Sequence, residues 1–257
     1  MADNQSTQPK VILHWLEKSR SQRVVWLLQE CKGLDWDVKT YKRQPNQLAP
    51  PTLKEVHPLG KSPAISVESS KLSKPLVLAE SAAIIEYLCD HFAPHLVPTR
   101  YRDGEDGQVG GETESWLRYR FYMHYAEGSL MTLLMLTLFA DNISNGPSVP
   151  WLIKPLTRLI GNQVYSLFLT PNHKTHFGFL NSQLASSPDG GRYLCGNELT
   201  AADILMSFPL IAGKSKIDRA EYPKLAAYMD LLESHEGYQA SIKKIEEISG
   251  EPFKAML

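Results

Sequence analysis

Three short polar segments in the first hundred residues carry groups that could hold a small charged ligand. The first, Ser19-Arg20-Ser21-Gln22-Arg23, follows an apolar run at 11–16 and precedes Val24, Leu27, Leu28 and Cys31 at helical spacing. A helix starting there presents unpaired N–H groups and partial positive charge, which favour an anion. A serine hydroxyl at that point can donate a hydrogen bond to a ligand's thiolate and lower the thiol's pKa. Ordinary N-capping is the competing role for such a serine. No cysteine occupies the segment, so disulfide chemistry by the chain itself is not expected there.

The second segment, Lys61-Ser62-Pro63, precedes a strand-like run at 64–67. A residue before proline is held extended, and a tight turn of this kind accommodates a cis peptide. The backbone of Ser62 could then pair with a peptide in strand fashion, with Lys61 near a carboxylate. A plain Pro-containing loop is the alternative. The third segment is Glu80-Ser81, between strand-like 76–79 and a helical pattern carrying Ile84, Ile85, Leu88 and Phe92. Glu80 can pair with an ammonium, while the Ser81 hydroxyl and the helix N–H groups suit a carboxylate. Taken singly, an N-cap for Ser81 and a solvated surface charge for Glu80 explain the pair better.

The elements that must position these groups read as strand, helix, strand, a loop with an ambiguous turn at 53–56, two strands and a helix. Strand–helix–strand implies a parallel pair, and the hairpin adds antiparallel strands. This βαβ-ββα order is that of a thioredoxin-like domain. Prolines at 94 and 98 and four glycines between 104 and 111 form a linker, and no convincing strand follows residue 112. Residues 112–140 read as one long helix or two. Pro150 opens another, with Leu152, Leu156, Leu159 and Ile160 expected on its inner face. A further helix covers 173–186, Thr200-Ala201-Ala202-Asp203 reads as a capping box, and Pro223 opens one more. The expected organisation is a lead-in at 1–9, an α/β domain at 10–98 and an all-α helical bundle at 99–257.

Composition excludes several classes. Of 257 residues, 43% are hydrophobic and 21% charged, as in folded globular proteins. Lys+Arg 27 against Asp+Glu 28 gives no basic surplus for nucleic acid. Three scattered cysteines fit neither a disulfide framework nor a zinc site, and the eight histidines lack metal-ligand spacing. A reducing compartment is the natural reading, and His14 reads as a packed strand residue. No transmembrane segment or secretory signal is expected; the most apolar stretch, 130–140, is too short.

Together the segments resemble the glutathione transferase family. The matching text is Ser19-Arg20-Ser21-Gln22-Arg23, His57-Pro58-Leu59-Gly60-Lys61-Ser62-Pro63, Leu78-Ala79-Glu80-Ser81 and Leu199-Thr200-Ala201-Ala202-Asp203-Ile204. With Tyr125-Ala126-Glu127-Gly128-Ser129-Leu130 the text is most similar to a serine-type fungal and bacterial branch. The resemblance implies Ser19 as the thiol-activating residue, with Ser21 its rival and expected cap. It implies that Lys61, Ser62, Pro63, Glu80 and Ser81 bind glutathione, that no metal takes part, and that Asp203 is structural. It further implies a small apolar electrophile as second substrate, hydroperoxide reduction as a compatible activity, and a homodimer. The expected location is cytoplasmic, although that branch includes members associated with the endoplasmic reticulum. Tyr119, Tyr122, Met123, Tyr125 and Ser129 are candidates for the second-substrate site. A non-catalytic carrier or assembly module, and a cysteine-type thiol transferase, remain as rival readings.

Overall fold

Apolar side chains occupy five of the seven positions of the strand β1 (Lys10–Leu16), which lies inside a four-stranded sheet. β2 (Asp35–Tyr41) pairs with it in parallel on one side, and β3 (Ala64–Glu68) antiparallel on the other. β4 (Leu76–Ala79) completes the order β2-β1-β3-β4 by pairing antiparallel with β3. These elements belong to a computed structural model that describes residues 8–147 and 149–255. Residues 1–7 of the expected lead-in lie outside the described residues.

The crossover between β1 and β2 is α1 (Gln22–Glu30), buried at every position from Gln22 to Leu28. A four-residue helix, α2 (Leu53–Val56), precedes the hairpin, and α3 (Ser81–Phe92) follows it, packing Ile84, Ile85, Leu88 and Cys89 into the core. The register fixes where the functional segments emerge. His14 lies opposite Ala64, Leu16 opposite Tyr41, and Ala64 opposite Ala79. Ser19 and Lys42 therefore leave the same sheet edge at which Ser62 enters and Ser81 exits.

The remainder is helical among the described residues, apart from two isolated bridges. Residues 112–140 become α4 (Glu114–Tyr125), a looser i→i+5 turn (Ala126–Met131) and α5 (Thr132–Asn145). α6 (Lys154–Val164) and α7 (Thr170–Ala185) follow, joined by a second loose turn at Tyr165–Leu169. α8 (Ala201–Ala212) runs through the middle of this half, buried from Ala201 to Ile211. α9 (Pro223–Ser234) and α10 (Glu236–Ser249) close the chain. α10 was not expected from the sequence. It packs across α1, where Gln22 Nε2 donates to Ser241 Oγ at 2.9 Å. Gly237 is required there, because a Cβ would overlap Trp26 and Glu30.

One expectation fails outright. Leu152, Leu156, Leu159 and Ile160, expected to face inward, are all exposed. Helical spacing shows that they share a stripe but not that another element covers it, and among the described residues none does.

Candidate active site

A row of three serine hydroxyls joins the β1–α1 loop to the turn before β3. Ser19 Oγ lies 2.6 Å from Ser21 Oγ, and Ser21 Oγ lies 2.5 Å from Ser62 Oγ. The row ends on the His14 carbonyl, 2.6 Å from Ser62 Oγ. That end sets the direction of every bond, since a carbonyl only accepts and each hydroxyl has one proton. Ser62 donates to His14 O, so Ser21 must donate to Ser62, and Ser19 to Ser21. Leu16 N–H also donates to Ser62 Oγ at 3.2 Å, and Ser21 N–H to Ser19 Oγ at 3.2 Å. Ser21 is engaged on both sides and fully buried. Ser19 is the free end, 9% exposed, and its proton alone can turn outward without breaking the row behind it.

Ser21 does not cap α1 with its side chain, contrary to expectation; its hydroxyl is committed to Ser19 and Ser62. The Ser62–Pro63 peptide is cis. Pro63 is buried, Ser62 is half-buried and Lys61 is exposed. Glu80 is exposed and holds φ 73°, a left-handed conformation uncommon outside glycine, which lets the chain turn sharply from β4 into α3. Ser81 is buried in the first turn of α3, a twelve-residue helix that no side chain caps.

Two arginines brace the loop from opposite sides. Arg43 donates to the carbonyls of Glu17 at 3.1 Å and Lys18 at 3.0 Å, and Lys18 itself has φ 50°. The guanidinium is thus tied to backbone and not presented to a ligand. Arg23 is fully buried and donates to Arg20 O, to Leu205 O of α8 at 2.8 Å, and to the Glu127 carboxylate. Arg20 pairs with the same carboxylate at 2.6 Å. Burial pulls the Arg23 guanidinium down to about 10 against the opposing pull of Glu127. Glu127 sits in the loose turn between α4 and α5, so the serine loop is anchored to the helical half through one acid. Arg23 closes the Ser19–Arg23 segment in the sequence, whereas Glu127 stands inside the Tyr125–Leu130 text with nothing local to mark its role.

The proposed second-substrate residues divide differently. Tyr119, Tyr122, Met123 and Tyr125 are buried in the helical core, and only Ser129 keeps partial exposure. Burial raises the phenols of Tyr119, Tyr122 and Tyr125, as expected of core residues. A recess of about 540 Å³ does adjoin the serine loop, lined by Trp15, Lys18, Tyr41, Ile248 and Phe253 among others. That volume lies within the usual range for small-molecule sites. Its far wall is the C-terminal segment, which carries no motif.

The three thiols are free. Burial, reinforced by Glu30, pushes Cys31 up to about 12, and burial also raises Cys89 and Cys195. Protonated thiols at these positions are poor nucleophiles. His14 packs as expected, with Nδ1 3.0 Å from Tyr41 Oη and Nε2 2.8 Å from Ser66 Oγ. Among the described residues, no three of His, Cys, Asp and Glu gather so as to hold a metal ion.

Both halves of the chain match known proteins. Residues 19–91 match the family description "Glutathione S-transferase, N-terminal domain", and residues 162–244 match "Glutathione S-transferase, C-terminal domain". Glutathione S-transferase 1 of Saccharomyces cerevisiae is 32% identical over 92% of this chain and 95% of its own. Glutathione S-transferase 3 of Schizosaccharomyces pombe is 29% identical over 92% of this chain and 88% of its own. A crystal structure of a glutathione S-transferase from Actinobacillus pleuropneumoniae superposes with a TM-score of 0.63 at 26% identity, covering 95% of each chain. A glutathione transferase homolog from Lodderomyces elongisporus, solved with two GSH per subunit, shares the fold at 19% identity and a TM-score of 0.65, over 90% of this chain and 97% of that one. Matched in both halves and along nearly the whole length of its relatives, the chain with the serine row belongs to the glutathione S-transferase family.

Proposed function

We propose that this protein is a glutathione transferase in which Ser19 stabilises the glutathione thiolate. The observation that carries the reading is the directed serine row, in which Ser19 is the one hydroxyl that can redirect its proton without breaking a bond between the others. When a thiolate arrives, the Ser19 hydroxyl turns from Ser21 to the sulfur, and Ser21 N–H still holds the Ser19 oxygen. The glutathione cysteinyl backbone pairs with Ser62 beside Pro63. The γ-glutamyl ammonium meets Glu80, and its carboxylate meets Ser81 and the uncapped start of α3. Lys61 faces the glycyl carboxylate.

The thiolate sulfur then forms a bond to an electrophilic carbon of an apolar second substrate, and the leaving group departs with the bonding electron pair. With a hydroperoxide, two glutathiones are oxidised to the disulfide, and the peroxide is reduced to an alcohol and water. The glutathione-binding domain spans 10–98 and the helical domain 99–257; the protein works as a cytoplasmic homodimer.

The pH dependence of conjugation with a generic aryl halide tests the role of Ser19. A charge-assisted hydrogen bond contributes about 1.5–3 kcal/mol. Ser19→Ala should accordingly lower kcat/KM by about tenfold to a hundredfold and raise the kinetic pKa of bound thiol by about 1–2 units. Ser21→Ala should shift that pKa less. A Ser19→Ala enzyme of full activity beside an inactive Ser21→Ala enzyme would refute the assignment. Glutathione binding with neither conjugation nor peroxide reduction would favour a carrier.

A further inference from the structure

Val11, Leu13 and Trp15 alternate along β1 and share the main core. Trp15, the last of them, is 6% exposed, and its indole N–H finds no acceptor among the described residues. An indole nitrogen can only donate, so no other bond satisfies it. Trp26, which is also buried, gives its N–H to Glu30 Oε1 at 3.2 Å. Two further buried polar atoms lack partners among the described residues, Gln22 Oε1 and Tyr122 Oη, but neither residue lines the recess beside the serine loop. Trp15 does. A buried donor without a partner is costly and calls for an acceptor from elsewhere.

The recess, of about 540 Å³, lies between the ends of β1 and β2 and the segment that follows α10. Its apolar lining includes Ile245 and Ile248 of α10 and Phe253 beyond it. Gly250, at φ 71°, turns the chain back after α10, and Phe253 N–H donates to Glu246 Oε1 at 2.9 Å. Lys42 Nζ donates to Glu251 at 2.9 Å and ties the same segment to the end of β2. The charges in the lining are unevenly engaged. Glu251 is taken by Lys42, and the Glu17 carboxylate accepts from Arg43 N–H at 2.7 Å. Lys18 and Lys254 also line the recess, and among the described residues neither has a carboxylate within ion-pair distance.

Sheet order separates this recess from the groups assigned to glutathione. In the order β2-β1-β3-β4, Ser62 and Ser81 stand beside β3 and β4, whereas the recess opens on the β1 and β2 side. None of Ser19, Ser62, Glu80 and Ser81 lines it. We propose that the recess binds an apolar carboxylate, at a site separate from that of conjugation. The Trp15 N–H donates to a carboxylate oxygen, Lys18 and Lys254 supply counter-charge, and Ile245, Ile248 and Phe253 cover the apolar body. A hydrocarbon without an acceptor would leave the Trp15 N–H unpaired. A small inorganic anion would leave the apolar walls in water.

Calorimetric titration of the full chain with naphthaleneacetate and with its neutral amide, naphthaleneacetamide, tests the assignment. The acid should bind about fivefold more tightly, because a hydrogen bond to an ionised group is stronger than a neutral one. Trp15→Phe should weaken the acid by about tenfold or more. Lys18→Gln, which removes an exposed charge, should weaken it by about two- to fivefold. A second readout does not depend on how the variants fold. Of the five tryptophan indole N–H signals in the NMR spectrum of the wild type, the one absent from Trp15→Phe should move most when the acid is added. Saturating S-methylglutathione should leave the affinity for the acid unchanged. Equal affinity for acid and amide, a stationary Trp15 signal or displacement by S-methylglutathione would each overturn the proposal. Competition between the acid and the aryl halide would also overturn it and assign the recess to the second substrate. The titrations need no turnover, so their outcome is independent of the role given to Ser19.

Discussion

The serine row at the sheet edge and the Asp203 cluster inside the helical half are both small polar groups held in apolar surroundings, but they end differently. Asp203 is fully buried at the start of α8. Its Oδ1 accepts from Leu194 N–H at 3.1 Å and from Tyr228 Oη at 2.6 Å. Its Oδ2 accepts from Thr200 N–H at 2.9 Å and Thr200 Oγ1 at 2.6 Å. Every donor finds its acceptor inside the cluster, so nothing remains for a ligand. Burial raises the Asp203 carboxyl, and these four bonds oppose that rise. The serine row is closed at Ser62 by the His14 carbonyl and open at Ser19. A closed set of hydrogen bonds fixes the fold; one whose terminal hydroxyl lies at the surface can change partners when a ligand arrives.

The sharpest way to break this contrast is to remove one member from each set. Asp203→Ala leaves two buried N–H groups and two hydroxyls without their acceptor and should cost about 3–5 kcal/mol of stability. Denaturant melts would read that loss, and any folded fraction should keep the wild-type thiol pKa. Ser19→Ala should do the opposite, changing the pH–rate profile with little effect on the melt. A large stability loss for Ser19→Ala would erase the distinction.

Glu127 joins the two regions, because it holds both arginines of the serine loop from the helical half. Glu127→Gln leaves the buried Arg23 charge without its carboxylate. It should cost about 2 kcal/mol, below the cost of a fully buried pair because the acid keeps solvent contact. As a positioning residue it should also raise the kinetic thiol pKa through a displaced Ser19. Unchanged melting and an unchanged profile would show that the anchor is idle.

The smallest expected effect concerns histidines. Burial lowers His14, with a further contribution from Lys39, and burial also lowers His173 and His176. Their folded-state pKa lies below the unfolded value, so the unfolded chain takes up protons first as pH falls. Stability should be complete above about pH 6.5 and decline below it. Melting temperatures across that range should fall toward acid, and His14→Gln should flatten the slope. A pH-independent midpoint would contradict this account.

Much of the site was legible because local chemistry is written locally. The Ser19–Arg23 segment, the Pro63 turn and the Glu80–Ser81 junction each lie beside a strand whose apolar pattern marks it, and the strand order then dictates that they share an edge. The capping box at Thr200–Asp203 was readable for the same reason. Glu127 was not, since its meaning depends on Arg20 and Arg23 reaching it from about a hundred residues away. Tyr119, Tyr122, Met123 and Tyr125 could only be candidates, because aromatic spacing is the same for a core stripe and a pocket wall; the structure buries them in the core. α10 was overlooked although Tyr238, Ile242 and Ile245 recur on one side, because that stripe is interrupted by serine and lysine.

The sequence by itself determined the element order of the βαβ-ββα half, the helical character of its partner, and the three polar segments that hold the candidate site. Alternation, turn residues and caps act within a few residues, so one chain suffices to read them. Only the tertiary structure decided that Ser21 is an internal link and Ser19 the free end, since a hydroxyl's partner depends on where a distant carbonyl is placed. It likewise decided that the α6 stripe faces outward. Periodicity tells which side chains lie together, and burial depends on whether another surface comes to meet them.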